Sequence, residues 1–554
     1  MASKPTTKDH VTIGNVFEEQ GIRFSDWTIS VPLFYPHTGK NDGKTGPSTL
    51  SDTAKRGLPS SLKSPNQEIF LYARILEEVA HISMEGDHKQ PVDQSVACNE
   101  KRCLLYFEGG PGMSPPRTAV PFLKELARHY IVIVLDQRGT GYSSAVTDET
   151  LKDVGMEAQK EGIDRDFAIA SYLTLFRADS IVEDADRLRR SLGLLQWNIL
   201  GASFGGFCCL TYMSRYPGSL SGVLVSGGIP DISNTCSCED VYSYNYQRLR
   251  RQNNLYYTKY PQDKERVKQI VRGLQMSPMK LPRGGRLSAR RFLRFGVLLG
   301  VHGSSGVADL HRIVESAFSP QRRRIDSSKE SFITYELNFQ ENYRLQENCL
   351  LRDTFSWKPL YHLLHESIYC SKSGHKTQWA AYRVENRQEF ADFQVSNEGD
   401  FESDGYAYKA SNEASSDSKG PCAKRRKLND YQDESPEMLF TGEMTYPWDY
   451  EDYPVLFSLK NVANILAEWD DWPNLYEEDT LTTANIPLAA IVYSEDIFVP
   501  RELSEKTLEK LPHAAWEVID SCDHSALGTH GTLVVSVLLS LLDRASGRIR
   551  PQLT

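Results

Sequence analysis

Short runs of apolar residues alternate with longer amphipathic stretches in the first and last parts of the chain. The runs lie at residues 103–107, 131–135, 197–200, 222–225, 486–493 and 515–519. Runs of this length that are apolar throughout are typical of strands buried on both faces of a sheet. Amphipathic segments that predict helices lie at 121–129, 177–192, 500–510 and 532–542. This alternation predicts an α/β fold with a mainly parallel sheet.

Two stretches near the start, within 11–35 and 69–83, alternate apolar and polar residues and predict antiparallel strands. Residues 37–67 between them are rich in Gly, Ser, Thr, Lys and Pro. We expect this connection to be an expanded, exposed hairpin loop, longer than a compact domain usually needs.

The strand–helix alternation stops between residues 231 and 445, where amphipathic helices such as 241–257 and 261–274 are predicted instead. We interpret this region as a helical cap domain inserted into a core formed by residues 1–230 and 446–554. Within it, residues 394–436 contain almost no aliphatic side chains. Such a composition cannot offset the entropy of ordering, which predicts a disordered insertion.

The bulk composition of the 554 residues is that of a globular protein, with 40% hydrophobic and 25% charged residues. The net charge of −10 argues against nucleic acid or a membrane surface as the main partner. The start of the chain lacks the apolar core of a secretory signal, and no run approaches the roughly 18 apolar residues of a membrane span.

The ten cysteines are scattered and several lie in apolar runs, which favours reduced core residues in a cytoplasmic protein. Their spacing predicts no metal site, and no cofactor is expected. A basic tetrad, Lys424 to Lys427, could direct nuclear import, although such tetrads are more often solvated loop residues.

The motif that carries the chemistry is Gly201-Ala202-Ser203-Phe204-Gly205, which follows one apolar run and precedes another. This G-x-S-x-G pattern is the sharp strand-to-helix turn on which α/β-hydrolases present a nucleophilic serine. Small residues two positions either side of the serine let neighbouring backbone pass without a Cβ clash. We therefore predict Ser203 as the nucleophile.

Partners for Ser203 are expected where later strands end, because the loops of an open α/β sheet meet at that edge. Asp496 follows the run at 486–493, and His524 follows the run at 515–519. The chain order Ser, Asp, His is that of α/β-hydrolases. His524 is predicted as general base and Asp496 as the residue that orients its imidazole. Glu495, Asp523 and His530 are the rival residues nearby.

Backbone N–H groups are expected to stabilise the oxyanion that forms when Ser203 attacks. The residue after the nucleophile, Phe204, supplies one such group. The other would come from Gly109 or Gly110, in the glycine-rich loop that follows the strand at 103–107. Asp136 and Arg138, at the end of the next strand, are interpreted as braces for the loops around the site.

Several motifs together resemble the proline iminopeptidase family. In the core they are residues 108–112 (Glu-Gly-Gly-Pro-Gly), 136–143 (Asp-Gln-Arg-Gly-Thr-Gly-Tyr-Ser), 201–206 (Gly-Ala-Ser-Phe-Gly-Gly) and 523–527 (Asp-His-Ser-Ala-Leu). The cap segments 365–370 (His-Glu-Ser-Ile-Tyr-Cys) and 440–448 are similar to those of its larger, longer-capped branch. Many members carry His where this chain has Glu108.

The resemblance implies an α/β-hydrolase that releases an N-terminal proline from small peptides through an acyl-enzyme. In the family, cap glutamates recognise the free amine of the substrate. Glu366 is the best match and Glu336 the second, while a salt-bridged helix residue is the alternative for each.

Two other functions are compatible with the same core motifs. The first is an esterase, lactonase or amide hydrolase that acts on a specialised metabolite with the same triad. The second is a non-catalytic binding protein on a hydrolase fold. The expected partner is a small peptide or small molecule, and a monomer and a homo-oligomer both remain open.

Overall fold

The apolar runs of the sequence become strands of one nine-stranded sheet. The computed structural model describes residues 11–35, 49–64, 66–79, 102–233, 235–282, 284–301, 303–324, 331–337, 343–352, 358–395 and 437–547. The strands are β1 (Thr12–Glu19), β2 (Ile22–Pro32), β3 (Glu68–Glu78), β4 (Arg102–Phe107), β5 (Tyr130–Asp136), β6 (Trp197–Ala202), β7 (Leu220–Ser226), β8 (Met279–Lys280), β9 (Arg286–Leu287), β10 (Phe318–Arg324), β11 (Ser331–Leu337), β12 (Leu488–Tyr493) and β13 (Ala514–Ile519).

The main sheet has the order β1-β2-β3-β5-β4-β6-β7-β12-β13. The first strands pair antiparallel as far as β3 with β5, and every later pair is parallel. All residues of β5 and of β12 are buried, as expected for inner strands covered on both faces. The α/β fold class predicted from the sequence is confirmed.

Helices cover both faces of this sheet and form the region between β7 and β12. Their bounds are α1 (Asp52–Gly57), α2 (Pro121–Ala127), α3 (Asp148–Lys160), α4 (Arg165–Leu173), α5 (Ala178–Ser191), α6 (Phe204–Arg215), α7 (Cys238–Lys259), α8 (Asp263–Met276), α9 (Ala289–Leu293), α10 (Gly303–Ser316), α11 (Tyr343–Arg352), α12 (Pro359–Leu364), α13 (Ala380–Glu385), α14 (Asp449–Asp452), α15 (Lys460–Ala467), α16 (Glu478–Thr483), α17 (Arg501–Leu508), α18 (Ala526–Thr529) and α19 (Gly531–Ala545).

Alternate residues of the inner strands supply two separate apolar layers. On one face, Leu104 of β4 and Leu200 of β6 pack with residues of α2 and α19. On the other face, Leu105 and Ile199 of the same strands belong to a larger core that includes α5, α6 and the helices after β7. The period of two along each strand produces this division. The larger layer continues without interruption into the region predicted as a cap.

The connection between β2 and β3 differs from the expectation of an exposed loop at 37–67. Its described part contains α1, whose N-terminus is capped by Ser51, with the Ala54 N–H donating to the Ser51 hydroxyl at 3.2 Å. Leu58 after this helix is fully buried. The helix was not predicted because it is short and its composition resembles that of a loop.

The region between 231 and 445 contains helices α7 to α13, in line with a helical cap, but it also contains strands. Its described strands pair only with one another, β8 with β9 and β10 with β11. The domain bounds 1–230, 231–445 and 446–554 stay predictions. Apart from residues 394 and 395, the predicted disordered insertion 394–436 lies outside the described residues, and so does the basic tetrad at 424–427.

Arg138 braces the loops at the end of β5, as the sequence suggested. Its guanidinium donates to both carboxylate oxygens of Asp184 on α5, at 2.7 and 2.6 Å. It also donates to the carbonyls of Leu33 after β2 and Leu175 after α4, at 2.6 and 2.9 Å. Arg138 and Asp184 are both fully buried, so their charges depend on each other.

Replacing Asp184 by Ala is expected to destabilise the protein strongly. The change leaves the Arg138 charge buried without its partner, which costs about 3–5 kcal/mol of unfolding free energy. Urea denaturation measures this. The matched control is Arg23→Ala, which breaks an exposed pair with Glu18 and should cost no more than about 1 kcal/mol. Equal, small losses in both variants would contradict the bracing role.

Candidate active site

Ser203 occupies a sharp turn between β6, in the middle of the sheet, and α6. Its backbone has φ 52° and ψ −125°, a strained conformation for a residue with a side chain. A Cβ at Gly201 would lie 2.2 Å from the Gly205 carbonyl, and one at Gly205 would lie 2.1 Å from the Phe107 carbonyl. The glycines of the motif are therefore required by close backbone packing, and the hydroxyl of Ser203 is presented at the sheet edge.

The structure brings the three predicted triad residues together. His524 Nε2 lies 2.8 Å from Ser203 Oγ, and His524 Nδ1 lies 2.7 Å from Asp496 Oδ2. Asp496 follows β12 and His524 follows β13, so the partners come from the loops after the last two strands. This is the geometry of a nucleophile, a base and an orienting carboxylate.

Asp496 is fixed by its own loop. Its Oδ1 accepts hydrogen bonds from the backbone N–H groups of Phe498 and Val499, at 2.8 and 3.1 Å, while Oδ2 faces His524. The carboxylate is buried and has a defined orientation, because each oxygen has its own donors.

The rival residues point elsewhere. Glu495 is exposed and pairs with Arg248 at 3.0 Å. Asp523 accepts hydrogen bonds from the backbone and hydroxyl of Ser525, at 3.0 and 2.8 Å. The ring of His530 contacts the hydroxyl of Thr529. None of these contacts involves Ser203.

The electrostatic surroundings favour a protonated His524. Burial by itself lowers the pKa of the imidazole, but the hydrogen-bonded carboxylate of Asp496 and the nearby Glu443 raise it. The net result is a pKa above the ordinary value, because the negative groups outweigh the loss of water. The imidazolium that forms when His524 takes a proton from Ser203 is thus stabilised.

The glycine-rich loop after β4 lies beside the nucleophile. A Cβ at Gly109 would be 3.2 Å from Ser203 Cβ and 3.8 Å from its Oγ. The N–H of Gly109, however, donates to Glu108 Oε1 at 2.8 Å, so the structure directs this predicted oxyanion donor to a carboxyl group. Of the predicted donors, this leaves Gly110 and Phe204, the first residue of α6.

The structure places Glu366 in a buried turn after α12, at the N-terminus of α13. Its Oε1 accepts the N–H of Ala381 at 2.9 Å, and the N–H of Ala380 and the hydroxyl of Thr377 also bind this carboxylate. Burial nevertheless raises the pKa of Glu366 to about 7. These donors account for Glu366 as a helix-capping residue, and its predicted role in amine recognition stays a prediction. Glu336 is a residue of β11 whose side chain lies outside the described part of the structure.

A glutamate that the sequence did not single out lies closer to the triad. Glu443 acts electrostatically on His524 and on Asp496. Its Oε2 accepts the hydroxyl of Tyr361 at 3.0 Å, and its Oε1 lies 3.9 Å from His365 Nε2. Burial raises the pKa of Glu443 to about 7 and lowers that of His365 to about 3. Only its presence in the segment 440–448, which resembles the family, could have pointed to it.

The described part of the chain holds no cluster of three or more His, Cys, Asp or Glu side chains arranged to bind a metal ion. Among the described helices, none combines the length and the apolar character that crossing a membrane requires.

The mainly parallel sheet, the strained serine and the hydrogen-bonded Ser–His–Asp arrangement define a hydrolase of the α/β class. A family model described as alpha/beta hydrolase fold matches residues 103–269. Within this class, the chain belongs to the proline iminopeptidase family. It is 31% identical over 471 residues to a proline iminopeptidase of Aeromonas sobria, a match that covers 82% of this chain and 94% of the relative.

Other similar proteins carry the same name. A proline iminopeptidase of Aspergillus aculeatus is 29% identical over 447 residues, covering 79% of this chain and 84% of the relative. Among solved structures, the proline iminopeptidase of Mycobacterium smegmatis is similar with a TM-score of 0.35 and 12% identity, over 87% of this chain and 97% of that one.

Replacing Ser203 by Ala is expected to lower kcat by about 10⁶-fold, because the attacking oxygen is removed. The measurement is hydrolysis of p-nitrophenyl acetate, with labelling by a serine-directed fluorophosphonate as the second readout. Ser525→Ala, a serine one residue after His524, is the control and should keep both properties. Labelling that survives Ser203→Ala would place the nucleophile elsewhere.

The pH profile should report the raised pKa of His524. Only neutral His524 can accept the Ser203 proton, so kcat/KM on the ester should fall as the pH drops through a value above the ordinary 6.5. In Asp496→Asn the burial of His524 dominates, so this limb should move to lower pH while kcat falls about 10⁴-fold. An unmoved limb in Asp496→Asn would contradict the assignment.

Proposed function

We propose that the protein releases an N-terminal proline from small peptides through a covalent acyl-enzyme. The observation that carries the proposal is the Glu443 carboxylate, which acts electrostatically on both His524 and Asp496 of the triad. An enzyme that removes a single N-terminal residue must bind a free ammonium one residue away from the scissile bond. A partly buried carboxylate that acts on the general base is suited to that task. The names of the relatives support the same activity.

The reaction would proceed in two halves. Ser203 Oγ attacks the carbonyl carbon of the proline while His524 takes the hydroxyl proton. The N–H groups of Phe204 and Gly110 stabilise the oxyanion, and His524 then protonates the leaving nitrogen as the C–N bond breaks. A water molecule, deprotonated by His524, attacks the resulting ester. Free proline leaves, and Ser203 recovers its proton from His524.

The surroundings of Glu443 suit the binding of a protonated amine. One hydrogen-bond donor, the Tyr361 hydroxyl, stabilises the carboxylate, and the neighbouring His365 is uncharged. The hydroxyl of Tyr361 donates to Glu443 Oε2, and the same hydroxyl lies 2.9 Å from the Glu443 carbonyl oxygen. His365 stays neutral because burial lowers its pKa to about 3, so it does not repel a cationic substrate. An arriving ammonium supplies a further counter-charge, in addition to the charges of His524 and Arg294 that already act on this carboxylate.

We favour Glu443 over Glu366 because the Glu366 carboxylate already accepts three hydrogen bonds. Its donors are the N–H groups of Ala380 and Ala381 and the hydroxyl of Thr377. Binding an ammonium there would compete with the start of α13. The two glutamates have similarly raised pKa values, of about 7, so the difference between them is one of geometry.

Replacing Glu443 by Gln should lower kcat/KM on proline-β-naphthylamide by about 10²-fold, since a partly buried charge pair with the substrate is lost. Turnover of p-nitrophenyl acetate, which has no amine, should change little. Glu366→Gln is the matched variant and should leave KM on the prolyl amide nearly unchanged. A rise in KM with Glu366→Gln alone would assign the amine to Glu366 instead.

Hydrolysis of the ester without any turnover of the prolyl amide by the unmodified protein would contradict the proposed substrate. That result would favour the alternative, an esterase, lactonase or amide hydrolase with another specificity. The comparison uses the full chain, so that every part of the cap is present.

The preference for the prolyl amide over the ester should depend on pH. Glu443 is neutral below its pKa of about 7 and ionised above it. The ratio of kcat/KM on the amide to that on the ester should therefore rise as the pH increases through about 7. Taking the ratio removes the contribution of His524, which both substrates require. In Glu443→Gln the ratio should be flat in this range, and a persistent step would contradict the role of Glu443.

A further inference from the structure

Glu108 stands at the start of the glycine-rich loop that follows β4, and the structure gives it several contacts. Its Oε1 accepts the N–H of Gly109 at 2.8 Å, and its carbonyl accepts the side-chain amide of Gln137 at 3.0 Å. The hydroxyl of Tyr106 on β4 also binds the carboxyl group. Both the side chain and the backbone of Glu108 are thus held at the end of β4.

This arrangement occupies one N–H group of the loop, that of Gly109. The N–H of Gly109 donates to the carboxyl group, although the residue lies directly beside Ser203. Gly110 follows with φ 125°, and a Cβ there would lie 2.9 Å from the N of Gly112. Of the two predicted donors in this loop, the N–H of Gly110 is therefore the one that remains for the oxyanion.

A cation from the cap lies against the same loop. Lys358, the residue before α12, donates to Met113 Sδ at 2.7 Å and acts electrostatically on Glu108. The start of α12 packs on the loop as well, since a Cβ at Gly112 would lie 2.8 Å from Leu360 Cβ. Lys358, which lies in the region predicted as the cap, thus acts with its positive charge on the carboxyl group of Glu108 in the core loop.

We propose that Glu108 and Lys358 are positioning residues for the oxyanion loop. The Glu108 carboxyl group takes the N–H of Gly109, so that the N–H groups of Gly110 and Phe204 face the developing oxyanion. Lys358 offsets the negative charge of Glu108, which would otherwise oppose a second negative charge at Ser203. The proposal rests on the acyl transfer proposed above and does not depend on the preference for proline.

The ionisation of the pair agrees with this arrangement. Burial raises the pKa of Glu108, against the effects of the Gly109 N–H, the Tyr106 hydroxyl and Lys358. Burial also lowers the pKa of Lys358, against the effect of Glu108. Tyr106 from β4 and Lys358 from the cap are the titratable groups that face Glu108, and the pKa of Tyr106 is raised far above the working range. Each member of the pair therefore favours the charged form of the other.

The test is a set of four variants assayed on both p-nitrophenyl acetate and proline-β-naphthylamide. Glu108→Ala removes the acceptor and should lower kcat about 10- to 100-fold on both substrates, with KM changed less than about threefold. Glu108→Gln keeps an acceptor oxygen and should stay within about threefold of the original kcat. A loss on the amide alone would assign Glu108 to amine recognition and overturn the proposal.

Lys358→Met and the double variant Glu108→Gln/Lys358→Met test whether the positive charge of Lys358 offsets the negative charge of Glu108. In Lys358→Met, kcat should fall as the pH rises through the raised pKa of Glu108, because Glu108 then ionises without its counter-charge. The double variant should lack this fall and behave like Glu108→Gln. A structural role for Lys358 alone would not produce a pH-dependent loss that the Gln substitution removes.

Controls separate these effects from folding and from surface charge. Glu149→Gln and Lys152→Met change exposed residues of α3 and should leave both profiles unchanged. Thermal unfolding shows whether each variant is folded. If Glu108→Ala does not fold, the variants Glu108→Gln and Lys358→Met and their combination still test the proposal through their pH profiles. Full kcat in a folded Glu108→Ala, or an unchanged pH profile in Lys358→Met, would overturn the proposal.

Discussion

The site depends on how closely the start of α6 approaches the strands around it. A Cβ at Gly205 would meet the Phe107 carbonyl at 2.1 Å, and a Cβ at Gly206 would meet the Gly228 carbonyl at 2.2 Å. Only glycine permits this contact, and the contact in turn forces Ser203 into its strained conformation, with φ 52°. The tight turn places the nucleophile within reach of both the His524 loop and the loop after β4.

The core of the site could be predicted from the sequence because each triad residue follows an apolar strand. Strand periodicity locates the strand ends, and parallel strands bring those ends to one edge, so Ser203, Asp496 and His524 could be assigned to one site. Glu443 lies in an irregular segment of the cap with no such period. Glu443 acts on His524 although the two residues are far apart in the sequence, and residue spacing does not predict such a long-range interaction.

The local errors have comparable reasons. Helix α1 was expected to be loop because six residues bounded by Ser and Gly carry little periodic signal. Strand β10 is rich in arginine and, among the described strands, pairs only with β11, and its sequence lacks the apolar alternation that reveals a strand in the main sheet. The direction of the Gly109 N–H depends on the side chain of its neighbour Glu108, which no motif describes.

Burial alone does not identify the functional carboxyl groups of the cap. Glu366, Glu385 and Glu443 all have pKa values raised to about 7 by loss of water. Glu366 binds the start of α13, and Glu385 accepts the hydroxyl of Tyr246 at 3.1 Å. Glu443 differs in acting electrostatically on His524 and Asp496 of the triad. The identity of each partner, more than the size of the pKa shift, distinguishes a capping or core residue from a candidate substrate contact.

Helix α12 is only six residues long, yet it contacts two parts of the site. Leu360 packs on the loop beside Ser203, and the next residue, Tyr361, holds Glu443. The surface that we propose selects the substrate and the surface that we propose supports bond cleavage therefore share one short segment. Diversification of such a cap toward new substrates would proceed through paired substitutions, because a change that reshapes α12 for a different ligand also displaces catalytic backbone.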